Sequence, residues 1–107
     1  MKAIEFHGTS RKEIKKFPEP IKREAGHQLM RVQHGLEPSD WKPMPDIGQG
    51  VREIRLHYEG QFRIIYVARF KDAIHVLHAF QKKTQKTPVR DIDIARRHYK
   101  KIKGIES

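Results

Sequence analysis

Basic side chains gather in residues 48–88 at spacings that could do chemistry. Arg55 and His57 fall two apart in one alternating run, and Arg63 sits early in the next. His78 and Lys82 close a third, and Lys83 and Lys86 follow just before Thr87-Pro88. Successive residues of a strand point to opposite faces, so groups two apart share a face. Arginine grips phosphate through a planar fork of donors. Histidine titrates near neutrality and can give or take a proton. Lysine can do the same if neighbouring cations depress its pKa. Such a set could cleave RNA without a metal. One group removes the 2′-hydroxyl proton, another protonates the 5′ leaving oxygen, and cations steady the crowded, dianionic phosphorane.

Three strand-like runs must position these groups. In residues 51–58, Ile54, Leu56 and Tyr58 alternate with Glu53, Arg55 and His57. In residues 62–70, Phe62, Ile64, Tyr66 and Ala68 alternate with Arg63, Ile65, Val67 and Arg69. Residues 74–80 are apolar on both sides, as befits a central strand. A three-residue loop at Glu59-Gly60-Gln61 predicts Tyr58 opposite Phe62, Leu56 opposite Ile64 and Ile54 opposite Tyr66. The other side then sets His57 against Arg63 and Arg55 against Ile65. A Lys71-Asp72 turn predicts Arg63 opposite Phe80, Ile65 opposite His78 and Val67 opposite Val76. Arg55, Ile65 and His78 would form one row; His57, Arg63 and Phe80 the next, extended by Lys82. A one-residue slip at the second turn would exchange His78 for His75 and Lys82 for Lys83. Solvated faces usually mix acids with bases, and here only Glu53 is acidic.

The flanking segments read as helices and one more strand. Ile4 and Phe6 face the core from a strand over residues 3–7. Ser10 and Glu13 make a capping-box pattern, with Ile14 and Phe17 as the apolar edge and Pro18 as the stop. Pro20 opens a second helix. Ile21, Ala25, Leu29, Val32 and Leu36 form one stripe along it, and Gly35 is its C-cap. Residues 37–50 carry three prolines and two glycines, so most of this stretch reads as an irregular linker, with Trp41 anchoring it to the core. Thr87 and Pro88 start a last helix whose stripe is Val89, Ile92, Ala95, Tyr99 and Ile102. Arg90, Arg96, Arg97, Lys100, Lys101 and Lys103 make its surface basic, and the tail after Gly104 reads as loose. The expected architecture is α+β, a small antiparallel-rich sheet. Helices cover one face and a phosphate backbone meets the other.

Composition bounds the rest. The 107 residues make a single domain, 1–107, large enough for one modest core. The chain has no cysteine, which excludes disulfides and thiolate metal sites. No apolar run approaches the ~18 residues of a membrane span, so a cytoplasmic protein without membrane contact is expected. A net charge of +10 favours a polyanionic partner. There is no phosphate-cradling glycine loop, no H-x-x-x-H pair and no nucleophilic serine motif, and the carboxylates are scattered. Neither metal nor cofactor is expected.

The strings GVREIR, GQFRIIYVA and IHVLHAFQKKTQKTP resemble the RelE/HigB superfamily of toxin–antitoxin toxins, specifically its phage-derived HigB-like branch. The resemblance covers nearly the whole chain. It implies a RelE-like fold with two N-terminal helices on one sheet face and a C-terminal helix. It also implies a metal-independent, ribosome-dependent endoribonuclease (an mRNA interferase) acting on mRNA in the A site. The partner would be an antitoxin, for this branch commonly a helix-turn-helix protein. The family's strand lysine or arginine falls on Arg55, and the arginine after its hairpin aromatic falls on Arg63. Its basic residue beyond the last strand falls on Lys82 or Lys83. Some members add a C-terminal tyrosine. None follows Lys86 here before Tyr99, which the helix stripe assigns to the core, and this raises His78. The expected catalytic set is Arg55, Arg63, His78 and Lys82, with Arg52, His57, Lys83 and Lys86 touching RNA. Two other readings stay open: a non-catalytic RNA- or ribosome-binding module, and a module whose basic face binds an acidic antitoxin.

Overall fold

The computed structural model describes residues 1–106, with side chains described through Ile102. In chain order the elements are β1 (Ala3–Phe6), α1 (Ser10–Lys15), α2 (Glu19–Gln33), β2 (Trp41–Pro43), β3 (Val51–His57), β4 (Gln61–Val67), β5 (Ala73–Lys82) and α3 (Val89–Glu106). The five strands form one mixed sheet in the order β1-β5-β4-β3-β2. β1 runs parallel to β5, and the other neighbours are antiparallel. This α+β arrangement is compatible with a RelE-like fold.

Helix patterning carries over well. Ile21, Ala25, Leu29 and Val32 are buried along α2 and pack on Ile54, Leu56, Ile64 and Val76. Gly35, at φ +81°, closes the helix: Leu36 N–H donates to Arg31 O and Gly35 N–H to Val32 O. Leu36 lies past that stop and is exposed. The expected capping box at Ser10 does not form. The Ser10 hydroxyl donates to Val76 O at 3.4 Å, fastening α1 to β5.

The first hairpin turns at Tyr58-Glu59-Gly60, and His57 pairs with Gln61. The expected loop was one residue further on, so the pairing moves by two. Glu59 adopts φ +49°, which is what lets the turn close early. A shift of two keeps every side chain on its face but changes its neighbour. Arg55 lies opposite Arg63 and Glu53 opposite Ile65. The expected Arg55–Ile65–His78 row is therefore Glu53–Ile65–His78, and the Arg63–Phe80 row takes Arg55 in place of His57.

The second hairpin keeps Arg63 opposite Phe80 and Ile65 opposite His78, then shifts between Ile65 and Tyr66. Past that bulge Tyr66 pairs with Val76 and Val67 with His75, not Val76. Two residues of β5 share one pleat position there, so His75 and His78 both face α3 instead of excluding each other.

The sheet is covered on both faces. Against expectation, α3 covers much of the side carrying the basic groups. Ile65, Val67, Leu77 and Phe80 on that side are apolar, and they bury Ala95, Tyr99 and Ile102. Val89, expected in the stripe, is exposed because it begins the helix beyond the sheet, and Ile92 is half-buried. Helix α3 runs on through Gly104 to Glu106, where a loose tail was expected; the side chain of Lys103 and residue Ser107 lie outside the described residues. The linker contributes β2. Trp41 pairs with Ile54 but stays half-buried under the Arg52 guanidinium, 3.9 Å from its ring centre. Met44 and Ile47 are the linker's buried anchors. Among the described residues no helix is long and apolar enough to cross a membrane.

Candidate active site at the open end of the sheet

Beyond the first turn of α3 the basic face opens to solvent at Arg55 and Lys82, with Arg63 buried between them. β3 brings Arg55 there, β4 Arg63, and β5 Lys82, whose partner across the ladder is Gln61. Lys42 approaches from β2, opposite Glu53. An open groove runs past this cluster, lined by Gly60, Gln61, Arg63, Lys82, Lys83, Thr84 and Gln85.

Glu53 lies at the centre and is fully buried. Its Oε2 accepts a hydrogen bond from the Thr87 hydroxyl at 2.9 Å. Its Oε1 faces Arg63 Nε at 3.5 Å and Lys42 Nζ at 3.8 Å without a hydrogen bond to either. A carboxylate stays charged at such depth only when cations surround it. Arg63 is the nearest of them and is itself 5% exposed. Its Nη1 donates to Phe62 O at 2.9 Å and its Nη2 to Gln61 Oε1 at 3.2 Å. Burial and neighbouring Arg55 pull its guanidinium below its usual pKa, with Glu53 opposing.

Lys82 is the titratable group at the surface of this cluster. Burial, then Arg63, Lys42 and Arg55, push its ammonium below the usual value, and Glu53 opposes them. Four cations (Arg55, Arg63, Lys42 and Lys82) face two carboxylates, Glu53 and Asp40, which leaves the cluster net positive. A bound phosphate would relieve that repulsion.

Arg55 is held from the side. Its Nε and Nη2 donate to Asp40 Oδ1 at 2.8 and 2.7 Å. His57 reaches the other oxygen of the same carboxylate at 3.3 Å. Burial alone would raise the Asp40 carboxyl, but the hydrogen bonds and charges of Arg55 and His57 outweigh it and hold the pKa low. Asp40 lies in the linker, where no periodicity pointed to it. Glu53 was visible as the lone acid on this face, but its pairing with Arg63 was not.

The other expected site residues fall in different places. His78 is 7% exposed, its Nε2 is 2.7 Å from Asp91 Oδ1, and its ring stacks on Phe80. Helix α3 thus closes over it, and it does not line the groove. Lys83 and Lys86 are exposed in the segment after β5. Arg52 is on the opposite sheet face, stacked on Trp41 and 3.7 Å from Glu37. It shares parity with Ile54 and Leu56, a signal already present in the alternation. Metal-ligand spacing among the described residues occurs elsewhere, at Glu5 on β1, His7 just after it and His75 on β5.

A family model described as "Phage derived protein Gp49-like (DUF891)" matches residues 12–100. No curated protein matches the chain.

Proposed function

The chain belongs to the Gp49-like family of phage-derived proteins, which is associated with the toxins of toxin–antitoxin systems, and from that premise we propose that it is a ribosome-dependent mRNA endoribonuclease. The observation that carries the reading is the place of Lys82 beside an open groove, its proton loosened by burial and by Arg63, Lys42 and Arg55. The 2′-oxygen of the substrate forms a bond to the adjacent phosphorus as the bond to the 5′-oxygen breaks. The products are a 2′,3′-cyclic phosphate and a 5′-hydroxyl. Neutral Lys82 takes the 2′-hydroxyl proton and, as an ammonium, returns it to the departing 5′-oxygen, while Arg55 and Arg63 supply positive potential to the phosphorane oxygens. Thr87 holds Glu53, which faces Arg63 at 3.5 Å, and Asp40 holds Arg55. Lys83 and Lys86 extend the positive surface along the RNA, with His57 beside Arg55. The protein would act in the cytoplasm and be restrained by a cognate antitoxin with an acidic surface, of helix-turn-helix type in this branch.

The test is induction of the gene alone, with mapping of mRNA 5′ ends and growth. New 5′-hydroxyl ends confined to translated codons, with growth arrest, are the expected result. Normal growth without new ends would leave a binding module in place of an enzyme.

A further inference from the structure

We infer that Glu5, His7 and His75 form a binding site for a divalent transition-metal ion such as zinc, bridging β1 and β5. Glu5 lies opposite His75 in the parallel ladder, and His7 follows two residues later on the same face. One ligand atom from each of the three lies within 4.8 Å of the others. His7 Nε2 is 2.9 Å from His75 Nδ1, and His75 Nδ1 is 3.8 Å from Glu5 Oε2. Bonds of ~2.0–2.1 Å to a tetrahedral zinc set its ligand atoms roughly 3.4 Å apart, between these two spacings.

A fourth residue prepares the site. Asp72 lies 3.3 Å from His75 Nε2; in the tautomer that donates its Nε2–H to Asp72, the Nδ1 lone pair is aimed at His7 and Glu5. A carboxylate behind a histidine is the usual support for a metal ligand. Two imidazoles and one carboxylate suit zinc, cobalt or nickel better than magnesium or calcium. Glu5 is mostly exposed, so a remaining coordination position would open to solvent.

The site lies well away from the cleavage groove. His75 and Lys82 are seven positions apart on β5, roughly 23 Å of extended strand. The ion would pin the short edge strand β1, and the chemistry at Lys82 would not involve it.

The test uses the full chain without a polyhistidine tag, stripped by chelator and dialysed against Zn2+. A Co2+ titration followed by visible absorption reports the geometry. One ion bound per chain, tetrahedral cobalt bands and a higher melting temperature with Zn2+ are expected. Asp72→Asn should weaken binding about 10–100-fold, and His7→Gln should lose the cobalt bands. Glu5→Gln changes an exposed side chain, so its loss of affinity cannot be ascribed to misfolding. His34→Gln, on an exposed residue elsewhere, should bind like the parent. Absence of stoichiometric binding would overturn the inference. So would affinity unchanged in both Glu5→Gln and His7→Gln.

Discussion

Lys82 and His78 compete for the role of proton carrier, and their surroundings separate them. Lys82 borders the groove among cations that favour its neutral form, whereas His78 is enclosed between Asp91 and Phe80. Lys82→Arg keeps the charge but cannot give up a proton at accessible pH. It should slow single-turnover cleavage on programmed ribosomes by about 10²–10⁴-fold while leaving ribosome binding near the parent value. If neutral Lys82 is the base, the parent rate should rise with pH and level off below the ordinary lysine value of ~10.4. Cleavage by Lys82→Arg at the parental rate would remove it from the chemistry. His78→Gln should cost about 1–3 kcal/mol of stability through the lost Asp91 contact and change cleavage little. A large loss of cleavage in a fully stable His78→Gln protein would return the proton to histidine. Arg63 combines both roles. Removing it leaves the Glu53 carboxylate buried with only Thr87 and the more distant Lys42. Arg63→Ala should therefore lose about 3–5 kcal/mol in denaturant unfolding as well as toxicity. Unchanged stability would mean that Lys42 and Thr87 are enough to satisfy the Glu53 carboxylate.

Elements were more legible in the sequence than the contacts between them. The α2 stripe and the alternation of β3 and β4 follow fixed periods, so their faces could be read directly. Register depends on single backbone conformations that leave no periodic trace. Gly60 pointed to the first hairpin, but Glu59 in a left-handed conformation sets where it turns. The β5 bulge is invisible in a run that is apolar on both sides. Strand β2 was missed because it has three residues and ends at Pro43. The stripe of α3 was legible, but not that it would lie over the arginine face and enclose His78. At the site, alternation found Arg55, Arg63 and Lys82; Asp40 and Thr87 reach in from loops that carry no pattern. The hairpin offers a direct check. A non-glycine residue in the left-handed region costs roughly 1–2 kcal/mol, part of which glycine returns as unfolded-state entropy. Glu59→Gly should raise stability by about 0.5–1 kcal/mol in urea unfolding. A destabilised variant would show that the Glu59 side chain holds the turn by contacts of its own.

At the scale of the molecule, a net charge of +10 sets a long-range attraction that the site then makes specific. Affinity for ribosomes should fall steeply and linearly on a log–log plot against salt, because each neutralised phosphate releases counterions. A flat response between low and physiological salt would favour a protein-binding role. The parallel ladder between β1 and β5 has a different consequence, one of timing. Ala3 pairs with Ala73, a separation of 73 − 3 = 70 positions, so β1 waits in synthesis until β5 has been made. Closing so long a loop makes the step late and slow. Lys82 and Thr87 arrive later still, and the Arg63–Glu53 pair gains both neighbours only then. A nascent chain therefore carries Arg55 and Arg63 without the assembled cluster until β5 and Thr87 have followed them off the ribosome that made it.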